Sequence, residues 1–250
     1  MQRIVIFIVL LAGVIAASAM MIVKNKKQPA SNTGFAVVEL FTSEGCSSCP
    51  PADDAVANLL DKYKNSVYVL GFHVDYWDYL GWKDAYSSAA YSRRQQQYGS
   101  AFHLNSVYTP QAIVNGTTEF TGSDTRKLYA SVEQGLSQLA TTSIEIIARP
   151  SGNKTVTVNY TLSQGAKGLL NIALVELHAQ SSVQRGENSG KLLHHVNVVR
   201  DFKTINVKEQ RGDVVLALPQ GLTGKDCAVI AYIQDASTWK ITTAASAEIK

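Results

Sequence analysis

Two consecutive prolines constrain the fold of this chain most strongly. Pro50 and Pro51 directly follow the motif Cys46-Ser47-Ser48-Cys49, and apolar residues then recur at helical spacing over residues 52–63. Because proline is tolerated only in the first turn of a helix, a helix must begin here. The apolar run 35–41 just before the motif is typical of a buried strand. The sequence therefore predicts a strand, a Cys-x-x-Cys loop and a helix in immediate succession.

This position of the Cys-x-x-Cys motif favours thiol chemistry. The free N–H groups and the dipole of a helix N-terminus stabilise a thiolate, so we expect the pKa of Cys46 to lie below the ordinary thiol value of about 8.5. Two intervening residues let Cys49 reach back to Cys46, and the pair can then form, release or exchange a disulfide. We predict that Cys46 is the exposed attacking sulfur and that Cys49 resolves the intermediate.

Three other interpretations of the cysteine pair stay open. They are a structural disulfide of an exported protein, a pair of inert buried thiols, and half of a zinc site that His73 or His103 completes. The 250 residues contain three cysteines, which excludes a disulfide-stapled scaffold and a four-thiolate zinc site within one chain. The third cysteine, Cys227, precedes an apolar run and is predicted to be a buried free thiol.

A second motif, Tyr108-Thr109-Pro110, precedes the short apolar strand 111–114. Proline at the entry to a strand is confined to special conformations, and a cis peptide bond is one of them. A cis Thr109–Pro110 bond would turn the backbone sharply and expose the backbone groups of Thr109 to an incoming extended chain. A trans bond would make Pro110 an ordinary loop proline.

The first half of the chain alternates strand and helix patterns. Asn115-Gly116 is a strong signal for a two-residue hairpin turn, and Asp84 and Asp124 are candidate helix caps. The predicted elements are strands 35–41, 67–74, 111–114 and 117–120, helices 52–63 and 84–98, and a last helix from residue 124 with Leu128, Val132, Leu136 and Leu139 on one face.

The second half lacks helical periodicity and consists of short strand patterns separated by turn residues. Apolar and polar side chains alternate most clearly over residues 155–162. Such a series predicts an antiparallel sandwich, with a boundary to the first half near residues 140–143. The further strand candidates are 144–147, 169–177, 192–199, the neighbourhood of Val207, 214–218, 228–234 and 240–244.

The N-terminus predicts export. Arg3 precedes an apolar run over residues 4–17, and Ala17-Ser18-Ala19 is typical of a cleavage site, so residues 1–19 are predicted to be a signal peptide. The alternative is an uncleaved membrane anchor that extends to about residue 23. Residues 20–33 are predicted to be a linker, and the protein to be periplasmic or secreted, with membrane contact only through an uncleaved N-terminal segment. Twenty-three basic against twenty acidic residues give a net charge of +3, which does not indicate a nucleic-acid surface.

The order of elements, the Cys-x-x-Cys at the first helix and the Thr-Pro before the third strand resemble the thioredoxin fold. The string Glu39–Asp53, ELFTSEGCSSCPPAD, resembles a family of exported bacterial proteins that is catalogued as a thioredoxin-like domain of unknown function. Further matching strings are His73–Asp78, Gly81-Trp82, Tyr108–Gln111, Arg185–Asn188 and Asn197–Arg200. The resemblance covers residues 35 to about 245. It implies that Cys46 and Cys49 are a redox pair and that Pro110 is a cis-proline preceded by Thr109.

We therefore expect an α/β thioredoxin-like domain over residues 34–140, followed by an antiparallel β-sandwich-like domain over residues 141–250. The chain departs from thioredoxin itself, which has Trp before the first cysteine and Gly-Pro between the two, whereas Gly45 and Ser47-Ser48 stand here. It also lacks an Asp at the usual buried position below the pair. Glu39, in the first strand, could accept a proton in its place.

Three further segments could contribute to a site. The loop 75–84 carries four aromatic residues that could grip a partner peptide or fold back onto the core. The loop 185–190 is by default a surface turn, with docking onto the first domain as the alternative. His194 and His195 are adjacent on a strand and point to opposite faces, so joint metal binding is not expected.

Taken together, the sequence predicts an exported thiol–disulfide oxidoreductase that acts on protein or small-molecule thiols. It would need no cofactor or metal beyond the two sulfurs, and the direction of the reaction is not set by the sequence. The alternative is a non-catalytic binding or assembly module in which Cys46–Cys49 is a structural disulfide.

Overall fold

The computed structural model describes residues 34–250, so the predicted signal peptide, anchor and linker lie outside the described residues. Within that range the chain forms three α-helices and eleven β-strands. The helices are Pro50–Tyr63 (α1), Ala89–Ala101 (α2) and Thr125–Leu136 (α3). The strands are Ala36–Thr42 (β1), Val67–His73 (β2), Gln111–Val114 (β3), Thr118–Thr121 (β4), Ile144–Pro150 (β5), Thr155–Leu162 (β6), Leu169–Ser182 (β7), Leu192–Asn206 (β8), Arg211–Ala217 (β9), Cys227–Gln234 (β10) and Ile241–Glu248 (β11). Across residues 34–250, every helix is too short or too polar to cross a bilayer.

The strands of residues 34–250 are arranged in a large sheet of eight and a small sheet of three. The large sheet has the order β11-β10-β7-β8-β2-β1-β3-β4, and the small sheet has the order β5-β6-β9. In the large sheet β1 runs parallel to β2 and antiparallel to β3. A parallel contact between β2 and β8, with Gly71 opposite Val198, joins the two halves of the sequence in one sheet.

The prediction of a thioredoxin-like α/β domain followed by an antiparallel sandwich is wrong. Four of the strands assigned to the sandwich extend the sheet that contains β1–β4, and only β5, β6 and β9 form a separate sheet among the described residues. The physical reason lies in β2, which is buried on both faces and has β1 on one side and β8 on the other. The predicted boundary at residues 140–143 falls between α3 and β5, and the division into domains there stays a prediction.

Apolar side chains fill three cores around the large sheet. Helices α1 and α3 pack on one face of the β1–β4 half through residues such as Val56, Leu59 and Leu128. Helix α2 covers the other face, where Tyr98 meets Phe41 and Tyr91 meets Phe72 of the strands. The small sheet packs on β7 and β10, whose alternate side chains point into two different cores.

The helix caps agree with the sequence in one of two cases. The Asp124 carboxylate accepts a hydrogen bond from the Lys127 N–H and caps α3, as predicted. Helix α2 is capped by Ser88, whose hydroxyl accepts from the Ala90 N–H, so the prediction that Asp84 begins this helix is wrong. Asp84 is instead buried and belongs to the candidate site.

The hairpin turn at Asn115-Gly116 is confirmed, and both residues have positive φ as a type I′ turn requires. The register pairs Val114 with Thr118, so the connection is three residues long and not two. A Cβ atom at Gly116 would clash with the Trp239 carbonyl oxygen, whereas one at Gly165, also at positive φ, meets open space. We expect Gly165→Ala to lower the free energy of unfolding by about 1–2 kcal/mol from backbone strain alone. Gly116→Ala should cost roughly 1–3 kcal/mol more, because the backbone of residue 239 must move. Urea unfolding of both variants tests this, and equal losses would contradict the close contact.

Candidate functional site

Cys46 and Cys49 form a disulfide at the start of α1, with their Cα atoms 5.5 Å apart. Cys49 is the cap residue of the helix, and its carbonyl accepts from the N–H groups of Ala52 and Asp53. Cys46 is 1% exposed and Cys49 is fully buried. The pair is therefore oxidised, and Cys46 is not the exposed sulfur that the sequence predicted. What remains is a choice between an exchanging disulfide and a structural one.

The histidines that were considered as zinc ligands lie elsewhere or have other partners. The Nδ1 atom of His73 lies 2.7 Å from Asp84 Oδ2, and His103 lies exposed in the loop after α2. Throughout residues 34–250, no group of three or more His, Cys, Asp or Glu side chains is placed to hold a metal ion.

The Thr109–Pro110 peptide bond is cis, and Pro110 is buried. Trp77 connects this turn to the cysteine loop. Its indole Nε1–H donates to Thr109 Oγ1 over 2.8 Å, and its Cβ would lie only 2.9 Å from a Cβ at Gly45. The glycine before the first cysteine thus leaves room for Trp77. Trp77 therefore lies against both predicted motifs, the cysteine loop and the Thr109–Pro110 turn.

The segment Val183–Lys191, called the strap below, joins β7 to β8 and lies across the cysteine loop. The Asn188 side-chain amide is fully buried and donates to the carbonyl oxygens of Glu44 and Cys46, each over 2.9 Å. The Ser47 N–H donates to Glu187 Oε2 over 3.0 Å, and hydrogen bonding from Ser47 lowers the pKa of Glu187. The sequence favoured a surface turn here, but the strap docks onto the cysteine loop.

A cluster of buried ionisable side chains borders the cysteine loop. Glu44 precedes Cys46 by two residues, Asp53 lies in the first turns of α1, and both carboxylates face His195 of β8. Each ring nitrogen of His195 is 3.6 Å from one carboxylate oxygen, which is an ion-pair distance rather than a hydrogen bond. Burial alone would lower the pKa of His195, but the Asp53 and Glu44 carboxylates outweigh it and raise the pKa to about 10. The two carboxylates on either side of the ring thus favour the imidazolium form of His195.

His73 and Asp84 extend this cluster. The two histidine rings meet edge to face with centroids 4.7 Å apart. Burial raises the pKa of Asp84, but His73 and the Glu44 N–H hydrogen bond favour the carboxylate, and the net pKa is lowered. Trp82 also donates to Glu44, over 2.7 Å. Sequence reasoning treated His73 as structural and did not find the roles of Glu44, Asp53 or His195, because no local motif links residues so far apart.

Comparison with known proteins places the chain in a family. The family described as "Protein of unknown function (DUF1223)" matches residues 37–234, which is most of the chain. The chain belongs to this family. A crystal structure of a protein from Agrobacterium tumefaciens is similar to it with 31% identity and a TM-score of 0.62, over 84% of this chain and 92% of that one. Among curated proteins, none matches the chain.

Glu39 of this DUF1223 protein is not free to accept a thiol proton. Arg94 of α2 binds both carboxylate oxygens, with Nε–Oε2 2.6 Å and Nη2–Oε1 2.9 Å, and the Tyr98 hydroxyl donates to the same carboxylate over 2.6 Å. These side chains lie on the α2 side of β1, whereas α1 packs on the other face. The hypothesis that Glu39 replaces the missing buried Asp is therefore wrong.

The structure also locates Cys227, the aromatic loop 75–84 and the His194-His195 pair of this DUF1223 protein. Cys227 is a buried free thiol, as predicted, and burial raises its pKa to about 11. Of the aromatic residues in loop 75–84, Tyr76, Trp77 and Trp82 fold back and form hydrogen bonds, while Tyr79 is 79% exposed. His194 is exposed and His195 is buried, as strand alternation predicted.

Proposed function

We propose that this DUF1223 protein is an exported thiol–disulfide oxidoreductase in which Cys46 and Cys49 exchange a disulfide with protein or small-molecule thiols. The observation that carries the proposal is the Cys46–Cys49 disulfide at the start of α1, with Trp77 linking its loop to the cis Thr109–Pro110 turn. Cys-x-x-Cys at a helix N-terminus is a setting that stabilises a leaving thiolate. The sulfurs need no further cofactor for this chemistry.

The reaction of the oxidised pair takes two steps. A substrate thiolate attacks Cys46 Sγ, the Cys46–Cys49 bond breaks, and Cys49 leaves as a thiolate while a mixed disulfide forms on Cys46. A second substrate thiolate then attacks the substrate sulfur of the mixed disulfide and releases Cys46. The substrate is oxidised by two electrons, the cysteine pair is reduced by two, and the two protons of the substrate thiols pass to the cysteine thiolates. The reverse sequence reduces a substrate disulfide, with Cys46 as the attacking thiolate and Cys49 as the resolving one.

Residues near Cys46 support its role as the exchanging sulfur. The Ser48 hydroxyl lies 3.4 Å from Cys46 Sγ and can donate to a thiolate formed there. Thr109, half-buried beside Trp77, offers backbone groups to a bound chain, and Pro110 keeps that turn in place. The predicted signal peptide over residues 1–19 supports export to a compartment where a disulfide persists.

A second function is favoured by one observation. Both sulfurs are buried beneath the strap, and a structural disulfide in a binding or assembly module needs no access. In that role the Cys46–Cys49 bond would only fix the start of α1.

A trapping experiment separates the two functions. In Cys49→Ser the free Cys46 thiolate can attack a substrate disulfide, but the intramolecular resolving thiol is missing, so mixed disulfides on Cys46 should accumulate in the exported fraction and be released by a reductant. Cys46→Ser/Cys49→Ser is the matched control and should yield none, and Cys227→Ser in the trapping background should leave the adducts unchanged. A folded Cys49→Ser protein without adducts would contradict the oxidoreductase and favour the binding module.

A further inference from the structure

We propose that the strap Val183–Lys191 is an autoinhibitory gate over the Cys46–Cys49 disulfide, closed in this structure and opened before any thiol reaches Cys46. Its purpose rests on the proposed function, since a gate matters only for a disulfide that reacts. Its physical basis does not depend on that function, because it concerns only whether a thiol can reach a sulfur of the disulfide. The strap closes the site through Asn188 and Glu187.

The two sulfurs are closed to an incoming thiol in this structure. Thiol–disulfide exchange requires a thiolate to contact the attacked sulfur. Cys46 is 1% exposed and Cys49 is fully buried, although Ser47 and Ser48 between them are exposed. The loop therefore reaches the surface while its sulfurs do not, so a neighbouring segment must move to admit a thiolate.

The contacts of the strap identify that segment. Asn188 donates to the carbonyl oxygens on both sides of Gly45, and Glu187 accepts from the N–H of the residue after Cys46. The strap is thus hydrogen-bonded to the backbone on both sides of the Cys46 side chain, whose sulfur must be attacked. Lys191 donates to Asn188 Oδ1 over 2.9 Å and holds the buried amide in this orientation.

The strap is also built to move. Six of its nine residues are exposed, namely Gln184, Arg185, Glu187, Ser189, Gly190 and Lys191. Gly186 and Gly190 flank the gripping residues at φ of 77° and 81°, and a Cβ at Gly190 would meet open space. Such positions absorb backbone changes when a loop opens. When the strap opens, water can bind the backbone groups of Glu44, Cys46 and Ser47 that the strap had bound. The free-energy cost of opening is therefore limited to the exchange of a few hydrogen bonds.

The experiment measures how fast dithiothreitol reduces the Cys46–Cys49 bond in the purified, folded protein, by alkylation of the new thiols and mass analysis. Glu187→Gln weakens a charge-assisted bond and should raise the second-order rate constant by roughly threefold to tenfold. Asn188→Ala removes two buried bonds and should raise it by at least about tenfold. Glu209→Gln makes the same chemical change on an exposed residue outside the strap and should leave the rate unchanged.

The outcomes decide whether the strap is a gate that opens or a cover that stays closed. Should Asn188→Ala fail to fold, Glu187→Gln still tests the gate, since Glu187 is exposed. Hydrogen exchange gives a second measurement, because a gate predicts faster exchange in residues 183–191 than in the flanking strands β7 and β8. Rates for Glu187→Gln within twofold of wild type, or strap exchange as slow as in β8, would overturn the gate. Adducts of the Cys49→Ser variant form only with the natural substrate, whereas the rate of reduction by dithiothreitol does not depend on that substrate. Failure of the proposed function and failure of the gate can therefore be told apart.

Discussion

Arg94→Met is expected to lower the free energy of unfolding by about 3–5 kcal/mol, because it leaves the Glu39 carboxylate buried without its counter-ion. Glu39 is fully buried in β1, and the two oxygens of its carboxylate are bound by Arg94 and Tyr98 of α2. Arg94 also donates to the Tyr232 hydroxyl of β10 over 2.9 Å. Burial by itself lowers the pKa of Arg94, but Glu39 outweighs it and raises the pKa well above its ordinary value. The network ties α2 to both halves of the large sheet, so its loss should destabilise the whole fold.

Urea unfolding of three variants tests this expectation. Arg93→Met removes the exposed neighbouring arginine and should change the free energy of unfolding by less than about 0.5 kcal/mol. The double variant Glu39→Gln/Arg94→Met removes both charges and should recover much of the loss, since an uncompensated charge costs more than an absent pair. Equal losses for the Arg93 and Arg94 variants, or a double variant less stable than Arg94→Met, would contradict the role of the ion pair.

Local order along the chain could be predicted because local chemistry determines it. Pro50 fixes the start of α1, Asp124 caps α3, and Asn115-Gly116 turns the hairpin. Asp84 was misassigned because a carboxylate has rival partners, and His73 with the Glu44 N–H competes successfully with a helix start. A pattern of capping residues does not reveal such a competition.

The joining of the two halves could not be predicted, since strand alternation specifies faces and not neighbours. The apolar run of β2 fits a central strand, but nothing in it identifies β8 as the partner. The same limit governed the site. Cys46, Cys49, Thr109 and Pro110 belong to short motifs, whereas Asn188 and His195 reach the cysteine loop only because the strap and β8 are brought there by the β2–β8 contact. The error in the fold class and the residues missed in the site therefore share one cause.

His195→Gln is expected to lower the free energy of unfolding by roughly 3–5 kcal/mol at pH 6, because it leaves Glu44 and Asp53 buried without a cation between them. The groups facing the imidazolium are these two carboxylates at 3.6 Å, the His73 ring at 4.7 Å and the Tyr86 ring at 6.0 Å between centroids. Among these contacts the carboxylates supply the countercharge. Replacing His195 therefore removes the ring that lies between the two carboxylates.

The same ion pairs predict a pH dependence with a definite sign. The pKa of His195 is raised from 6.5 to about 10 in the folded protein, so between these values the folded state binds a proton that the unfolded state has lost. Its stabilising contribution is complete below pH 6.5, falls as the pH rises through that window, and is lost above about pH 10. Urea unfolding at pH 6, 8 and 10 should show this fall in wild type and a much shallower one in His195→Gln. His194→Gln alters the exposed neighbour on the same strand and should follow the wild type, so it is the matched control. The difference between wild type and His195→Gln cancels the contribution of every other titrating group. Parallel curves for all three proteins would mean that His195 is buried in its neutral form, and that the carboxylates flanking the cysteine loop are held by the Trp82 and Thr42 hydrogen bonds alone.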